Sequence, residues 1–186
     1  MDDLAPQAPP RPSGTEDAVH PLVRLAKVAV EQWVTQRRVI GAPTEPTPEM
    51  AERAGVFVCL KSRELLRGCI GTFEPSQDNV AQEVIHNAIS SASRDPRFPP
   101  VGSSELSLLE YTVDVLTPPE RVESEADLDP KHFGVIVCSG LRRGLLLPDL
   151  EGVGTAAAQV RIAKNKANIG PRERVELYRF AVRRYR

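Results

Sequence analysis

Cysteine is scarce in this chain of 186 residues: three, at positions 59, 69 and 138, with no CxxC pair. An odd count at such wide spacings lacks metal-ligand form, so no metal is expected, and it reads as reduced thiols in a cytoplasmic protein. Aromatic residues make up only 5%, and 24 Lys and Arg stand against 25 Asp and Glu. A net charge of −1 with few rings for stacking argues against a nucleic-acid partner. No apolar run is long enough to span a bilayer, and no basic segment leads into an apolar one at the start, so neither membrane nor secretion is expected. Walker loop, GxSxG, HExxH and paired-carboxylate motifs are missing, as is any internal repeat. No motif calls for a cofactor.

What is present is an ordinary globular balance, 41% apolar and 26% charged, with 17 prolines. Pro6, Pro9, Pro10 and Pro12 lie among small polar residues, and 1–15 reads as a disordered tail ahead of one domain over 16–186. Leu22, Leu25, Ala26, Ala29, Val30, Trp33 and Val34 repeat at three- and four-residue steps, a helix started at His20 and Pro21. Pro43, Pro46 and Pro48 form a stiff connector after it. The runs 56–60 and 65–73 read as a hairpin, Asn79 with Gln82 caps a second helix, and Thr155 caps a last one through Lys166. Leu108–Leu116, the pair 133–137 and 145–147, and a single closing strand Val175–Val182 complete the pattern. Helices and hairpins without a βαβ rhythm give an α+β fold with antiparallel sheet and about three main helices.

The segment Leu66-Arg67-Gly68-Cys69-Ile70-Gly71 is the first chemical candidate. The two-residue period of a strand places Arg67, Cys69 and Gly71 on one face and sends Leu66 and Ile70 to the core. Gly68 and Gly71 leave backbone uncovered beside the sulfur, open to a ligand or a neighbouring segment. A guanidinium next to Cys69 favours thiolate, the reactive form; the bland alternative is a small buried Cys in a glycine-kinked strand. The loop Arg94-Asp95-Pro96-Arg97-Phe98 is the second candidate: two cationic forks for a carboxylate or phosphate, or an Asp that merely holds an Arg. Cys59 and Cys138 sit in apolar runs and read as core.

Two features read more plainly. Gly152-Val153-Gly154-Thr155-Ala156-Ala157 has the spacing of a dinucleotide loop, but four residues separate it from the preceding strand, and a helix-capping turn explains it. Residues 161–186 carry nine Lys or Arg and two Glu, either a solvated face or a seat for an acidic partner.

The signature at 66–71, with Gly55-Val56-Phe57-Val58, the loop 94–101, Val115-Leu116-Thr117-Pro118-Pro119-Glu120, Gly134-Val135-Ile136-Val137, Arg143-Gly144-Leu145-Leu146-Leu147-Pro148 and Glu176-Leu177-Tyr178-Arg179-Phe180, resembles the AMMECR domain family. Pro21-Leu22-Val23-Arg24-Leu25-Ala26 and the 148–153 stretch are similar to its prokaryotic branch, the AmmeMemoRadiSam system protein A group. The resemblance implies a two-lobed fold with the signature strand near the cleft, Cys69 as the carried-over residue, and Arg67, Gly68, Gly71, Asp95 and Arg97 beside it. It also implies companions, a radical S-adenosylmethionine enzyme and a Memo-type protein. A second Cys that relatives place in the last helix is Lys164 here, so a resolving thiol from that helix is not expected. Two readings of function follow: a cysteine-dependent component of a modification pathway, or a non-catalytic module that binds a partner or presents a substrate.

Overall fold

The computed structural model describes residues 19–186; the Pro-rich tail expected at 1–15 lies outside the described residues. Helix α1 (Pro21–Gln36) begins where the His20 ring Nδ1 accepts the Leu22 N–H, and ends at Arg37 in the left-handed region. Its stripe of Leu22, Ala26, Ala29 and Val30 is fully buried, each large aliphatic group contributing about 1.5–3 kcal/mol. The proline-rich connector contains one short helix, α2 (Pro48–Ala51). Strands β1 (Val56–Ser62) and β2 (Leu65–Thr72) form the expected hairpin, and α3 (Val80–Ser93) follows with Asn79 capping it through the Gln82 N–H. Next come β3 (Leu109–Leu116), β4 (Glu120–Val122), β5 (Gly134–Ser139) and β6 (Arg142–Leu146). Helix α4 (Ala156–Lys166), capped by Thr155, leads to β7 (Glu176–Phe180) and β8 (Val182–Tyr185).

The strands form two antiparallel sheets, ordered β2-β1-β3-β8 and β4-β7-β5-β6. The first packs one face on α1 and α3, and the second packs one face on α4. A third, smaller core of Leu116, Ile136 and Phe180, joined by Phe57, Phe73, Leu145 and Tyr178, lies where the two sheets meet. This is the α+β architecture expected from the sequence.

The single closing strand expected at 175–182 is two strands, one in each sheet. The chain changes sheets at Ala181, and it changes in the opposite direction at Thr117, between β3 and β4. These crossings are tied together: the Thr117 N–H donates to the Ala181 carbonyl at 3.0 Å, and the Ala181 N–H donates to Thr117 Oγ1 at 2.9 Å. Hydropathy runs unbroken through the change, because Phe180 and Val182 both join the inter-sheet core. No helix among the described residues is long and apolar enough to cross a membrane.

Candidate functional site

The β1–β2 hairpin turns at Arg63 and Glu64, both with positive φ, the geometry that matches strand twist in a two-residue loop. That loop sets Ser62 opposite Leu65 and Lys61 opposite Leu66. The register then shifts between Lys61 and Leu60, leaving Arg67 as the extra residue of a bulge. Beyond it Leu60 faces Gly68 and Cys59 faces Cys69. The same turn without the bulge would set Cys59 against Gly68.

Cys59 and Cys69 are joined by a disulfide, their Cα atoms 4.1 Å apart, and Cys138 is the free cysteine. This corrects the expectation of three reduced thiols: a pairing made across strands carries no CxxC signature. Both bonded cysteines are half-buried, on the sheet face turned away from α1 and α3, and Phe57 shares that face. Leu66, expected in the core, is exposed, because it lies on the hairpin tip before the bulge.

Strand β2 is an edge strand, and the 94–100 loop closes over it. The buried Asp95 carboxylate accepts the Cys69 N–H at 2.9 Å, and Arg97 Nη2 donates to the Cys69 carbonyl at 3.2 Å. The two side chains also pair with each other, Arg97 Nε donating to Oδ1 at 2.9 Å and Nη2 to Oδ2 at 2.7 Å. Together they occupy the donor and acceptor that a further strand would take. The hydrogen bond from Arg97 holds the Asp95 carboxyl far below the usual carboxylate range, helped by the Cys69 and Arg97 N–H groups against the opposing effect of burial.

Arg67 does not serve the sulfur as expected. Its guanidinium grips Glu105 through two bonds of 2.7 and 3.0 Å and donates to the Pro99 carbonyl at 2.9 Å. The Phe98 ring lies 5.9 Å from the Arg67 guanidinium and 5.5 Å from that of Arg97. A bulge residue is turned out of the strand alternation, which frees Arg67 to brace the loop instead.

Gly68 and Gly71 are glycines because of close approach. A Cβ on Gly68 would stand 2.2 Å from the Ser91 carbonyl of α3, and one on Gly71 would stand 2.2 Å from the Phe57 ring. Ser91 Oγ also accepts the Ile70 N–H at 2.8 Å and donates to the Val58 carbonyl at 2.7 Å, bridging two residues that face each other across the ladder. Arg94 is separated from this group. It lines an apolar pocket of about 280 Å³ with Trp33, Ile40, Ile85, His86 and Ile89, between α3 and the end of α1.

Other residues near the cysteines gave no signal in the sequence. Between the sheets lies a pocket of about 200 Å³ walled by Phe57, Phe73, Ile136, Leu145, Arg143 and Lys166. Arg143 bonds Glu74 at 2.6 Å from one lobe to the other and stands 6.0 Å from the Phe73 ring. Lys166 Nζ donates to the Leu145 carbonyl at 2.9 Å. Lys166 is exposed at the pocket wall, and partial desolvation there lowers its pKa, with the charge of Arg97 lowering it further. Cys138 has its thiol pKa raised by burial. Beside β2, the fully buried Glu83 accepts the Thr72 and Ser76 hydroxyls and the Ser76 and Gln77 N–H groups. Burial raises its pKa, but those four donors outweigh it and the net shift is downward. Only their convergence in space marks these residues, and their spacing in the chain is irregular.

Besides Lys166, four of the nine basic residues in the C-terminal segment are held by partners. Arg179 pairs with Glu120, Arg183 with Glu52, and Arg184 with the buried Asp114, while Lys164 donates to the Pro171 and Glu173 carbonyls.

The AMMECR1 family profile matches residues 23–185. A Thermotoga maritima protein is 51% identical, with 90% of this chain and 98% of that protein covered. Protein CA_C1420 of Clostridium acetobutylicum is 46% identical over 89% of this chain, which spans only 36% of that longer protein. The crystal structure of the uncharacterized protein PH0010 from Pyrococcus horikoshii superposes with a TM-score of 0.82 at 35% identity, covering 88% of each chain.

Proposed function

The chain belongs to the AMMECR1 family, and from that premise we propose that it is a cysteine-dependent component of a modification pathway whose reactive unit is the Cys59–Cys69 pair. The observation that carries this reading is a half-exposed disulfide joining the edge strand β2 to β1, on the same face as Phe57 of the inter-lobe pocket. In the cytoplasm, where we place the protein, a disulfide is commonly transient and either catalytic or redox-sensing.

The exchange balances with a dithiol as co-reactant. A thiolate of the dithiol attacks Cys69 Sγ, the S–S bond breaks, and Cys59 leaves as thiolate and takes up a proton. The second thiol of the co-reactant then attacks its own sulfur in the mixed disulfide and releases Cys69. Two electrons and two protons pass from the dithiol to the cysteine pair. Asp95 and Arg97 hold the Cys69 peptide in place throughout.

We propose a radical S-adenosylmethionine enzyme and a Memo-type protein as the companions in this pathway. The Clostridium relative extends well beyond the matched segment, which is about a third of its length, and this supports work beside a further polypeptide segment. The same observation favours the alternative of a module that binds a partner or presents a substrate without chemistry of its own. The discriminating experiment equilibrates the protein with glutathione buffers and counts free thiols. Reduction near a cytosolic poise of about −220 to −260 mV supports exchange, whereas a bond that survives below about −300 mV is structural. A Cys69→Ser variant that keeps full activity in the reconstituted pathway favours the binding module.

A further inference from the structure

We propose that the pocket between the two sheets is a binding site for a small monoanion with a flat apolar body, its charge seated on Lys166 and its ring between Phe57 and Phe73. The cations around the pocket differ in how they are compensated. Arg97 is balanced by Asp95, and Arg143 is balanced by Glu74. Lys166 has no carboxylate partner among the described residues, and its one hydrogen bond there goes to the Leu145 carbonyl. An ammonium has three hydrogens to donate. The site therefore holds one unbalanced positive charge with donor capacity to spare, which matches one negative charge on a ligand.

The walls define the rest of the ligand. Phe57, Phe73, Ile136 and Leu145 are apolar, and two of them present rings. At about 200 Å³ the pocket is smaller than the usual small-molecule site of about 300–1,000 Å³. A single ring bearing a carboxylate fits that description, and a dinucleotide or a peptide does not. Residues from both lobes supply the walls, so the occupant would bridge them: Phe57 and Phe73 belong to the first, and Ile136, Leu145 and Lys166 to the second. This site does not depend on cysteine exchange.

The probe is benzoate, with benzamide as its neutral counterpart of the same shape. Titrations of the disulfide-intact protein are followed by NMR, with unmodified lysines carrying ¹³C at Cε. Benzoate is expected to saturate and to bind at least about tenfold more tightly than benzamide. The Lys166 signal is expected to titrate at higher pH once benzoate is bound. Lys166→Met removes the preference for the anion while keeping the aliphatic stem, and Lys166→Arg retains it. The Cys59→Ser/Cys69→Ser double variant retains it too, which keeps this result separate from any failure of exchange. Equal affinity for benzamide, a preference that survives Lys166→Met, or no saturable benzoate binding overturns the proposal.

Discussion

The Asp95 carboxylate holds the backbone N–H of Cys69 at 2.9 Å, across 26 residues of sequence. With Arg97 on the neighbouring carbonyl, the loop completes the open edge of β2 by side chains rather than by another strand. The peptide that carries the Cys69 sulfur is thus fixed from outside the sheet.

Asp95→Asn is expected to cost about 1.5–3 kcal/mol, the range for hydrogen bonds to a charged partner, read from urea unfolding at pH 7. The amide can offer only one acceptor oxygen where four donor contacts now converge. Arg97 is half exposed, so water limits the penalty of leaving it unpaired. The pH dependence has a definite sign. The folded pKa of Asp95 lies below its unfolded value of about 3.9. Its contribution is therefore complete above that value and is lost as pH falls below it toward the folded pKa. The gap between wild type and variant should narrow on acidification, and a gap that is constant from pH 7 to pH 3 would refute the assignment.

Reduction of the Cys59–Cys69 bond closes off a constraint on the unfolded chain spanning 10 residues. A loop of that length is worth about 2–3 kcal/mol by chain entropy. The unfolding free energy from urea titration should fall by that amount when reductant is added, and should not change in the double serine variant. Thiol counts give a second check: one per chain without reductant, and three with it. The single thiol, Cys138, should alkylate slowly in the native state, since burial holds its pKa up.

Much of this architecture could be read from apolar spacing and capping. The stripe from Leu22 to Val30, the Asn79 and Thr155 caps and the 56–72 hairpin all rest on local chemistry, and local chemistry is what a sequence displays. The cysteine pairing was hidden because it depends on a bulge, and nothing at Arg67 distinguishes a bulged strand from a regular one. Strand β4 was hidden inside an acidic stretch, where pairing with β7 overrides poor strand propensity. Cys69, Asp95 and Arg97 were singled out and do meet, whereas Arg67 was singled out for a charge it gives to Glu105. The pocket walls come from both sheets, and no property of one segment reports on its distant neighbour.

Glu83→Gln is expected to destabilise the protein by about 1.5–3 kcal/mol. The side chain is fully buried, and both carboxylate oxygens accept from Thr72, Ser76 and Gln77. A glutamine that keeps its oxygen on the Ser76 and Gln77 N–H groups turns its N–H₂ toward the hydroxyls, which can accept, and toward the Asn87 N–H₂, which cannot and loses its contact with the side chain. Calorimetry of the variant at neutral pH is the test. An unchanged melting temperature would mean that the loop 73–79 does not depend on the carboxylate.

Gly68 and Gly144 do the same work in the two lobes, each letting a helix backbone settle on a strand. An added Cβ would stand 2.2 Å from the Ser91 carbonyl at Gly68 and 1.9 Å from the Ala163 carbonyl at Gly144. Backbone cannot swing aside as a side chain can, so Gly68→Ala must push α3 off β2 and Gly144→Ala must push α4 off β6. Each is expected to cost about 1–3 kcal/mol, the usual range for overpacking, and toward its upper end. Gly41→Ala is the control: nothing lies within 4 Å of its Cβ position, and the change should stay within about 0.5 kcal/mol. The consequences should also differ between the lobes. Gly68→Ala displaces Ser91 Oγ from the Ile70 N–H, one residue from Cys69, and so should speed reduction of the disulfide. Gly144→Ala should leave that rate near wild type, because its clash lies on the α4 side of the second sheet. Equal reduction rates in the two variants would separate the helix contact from the reactivity of the sulfur.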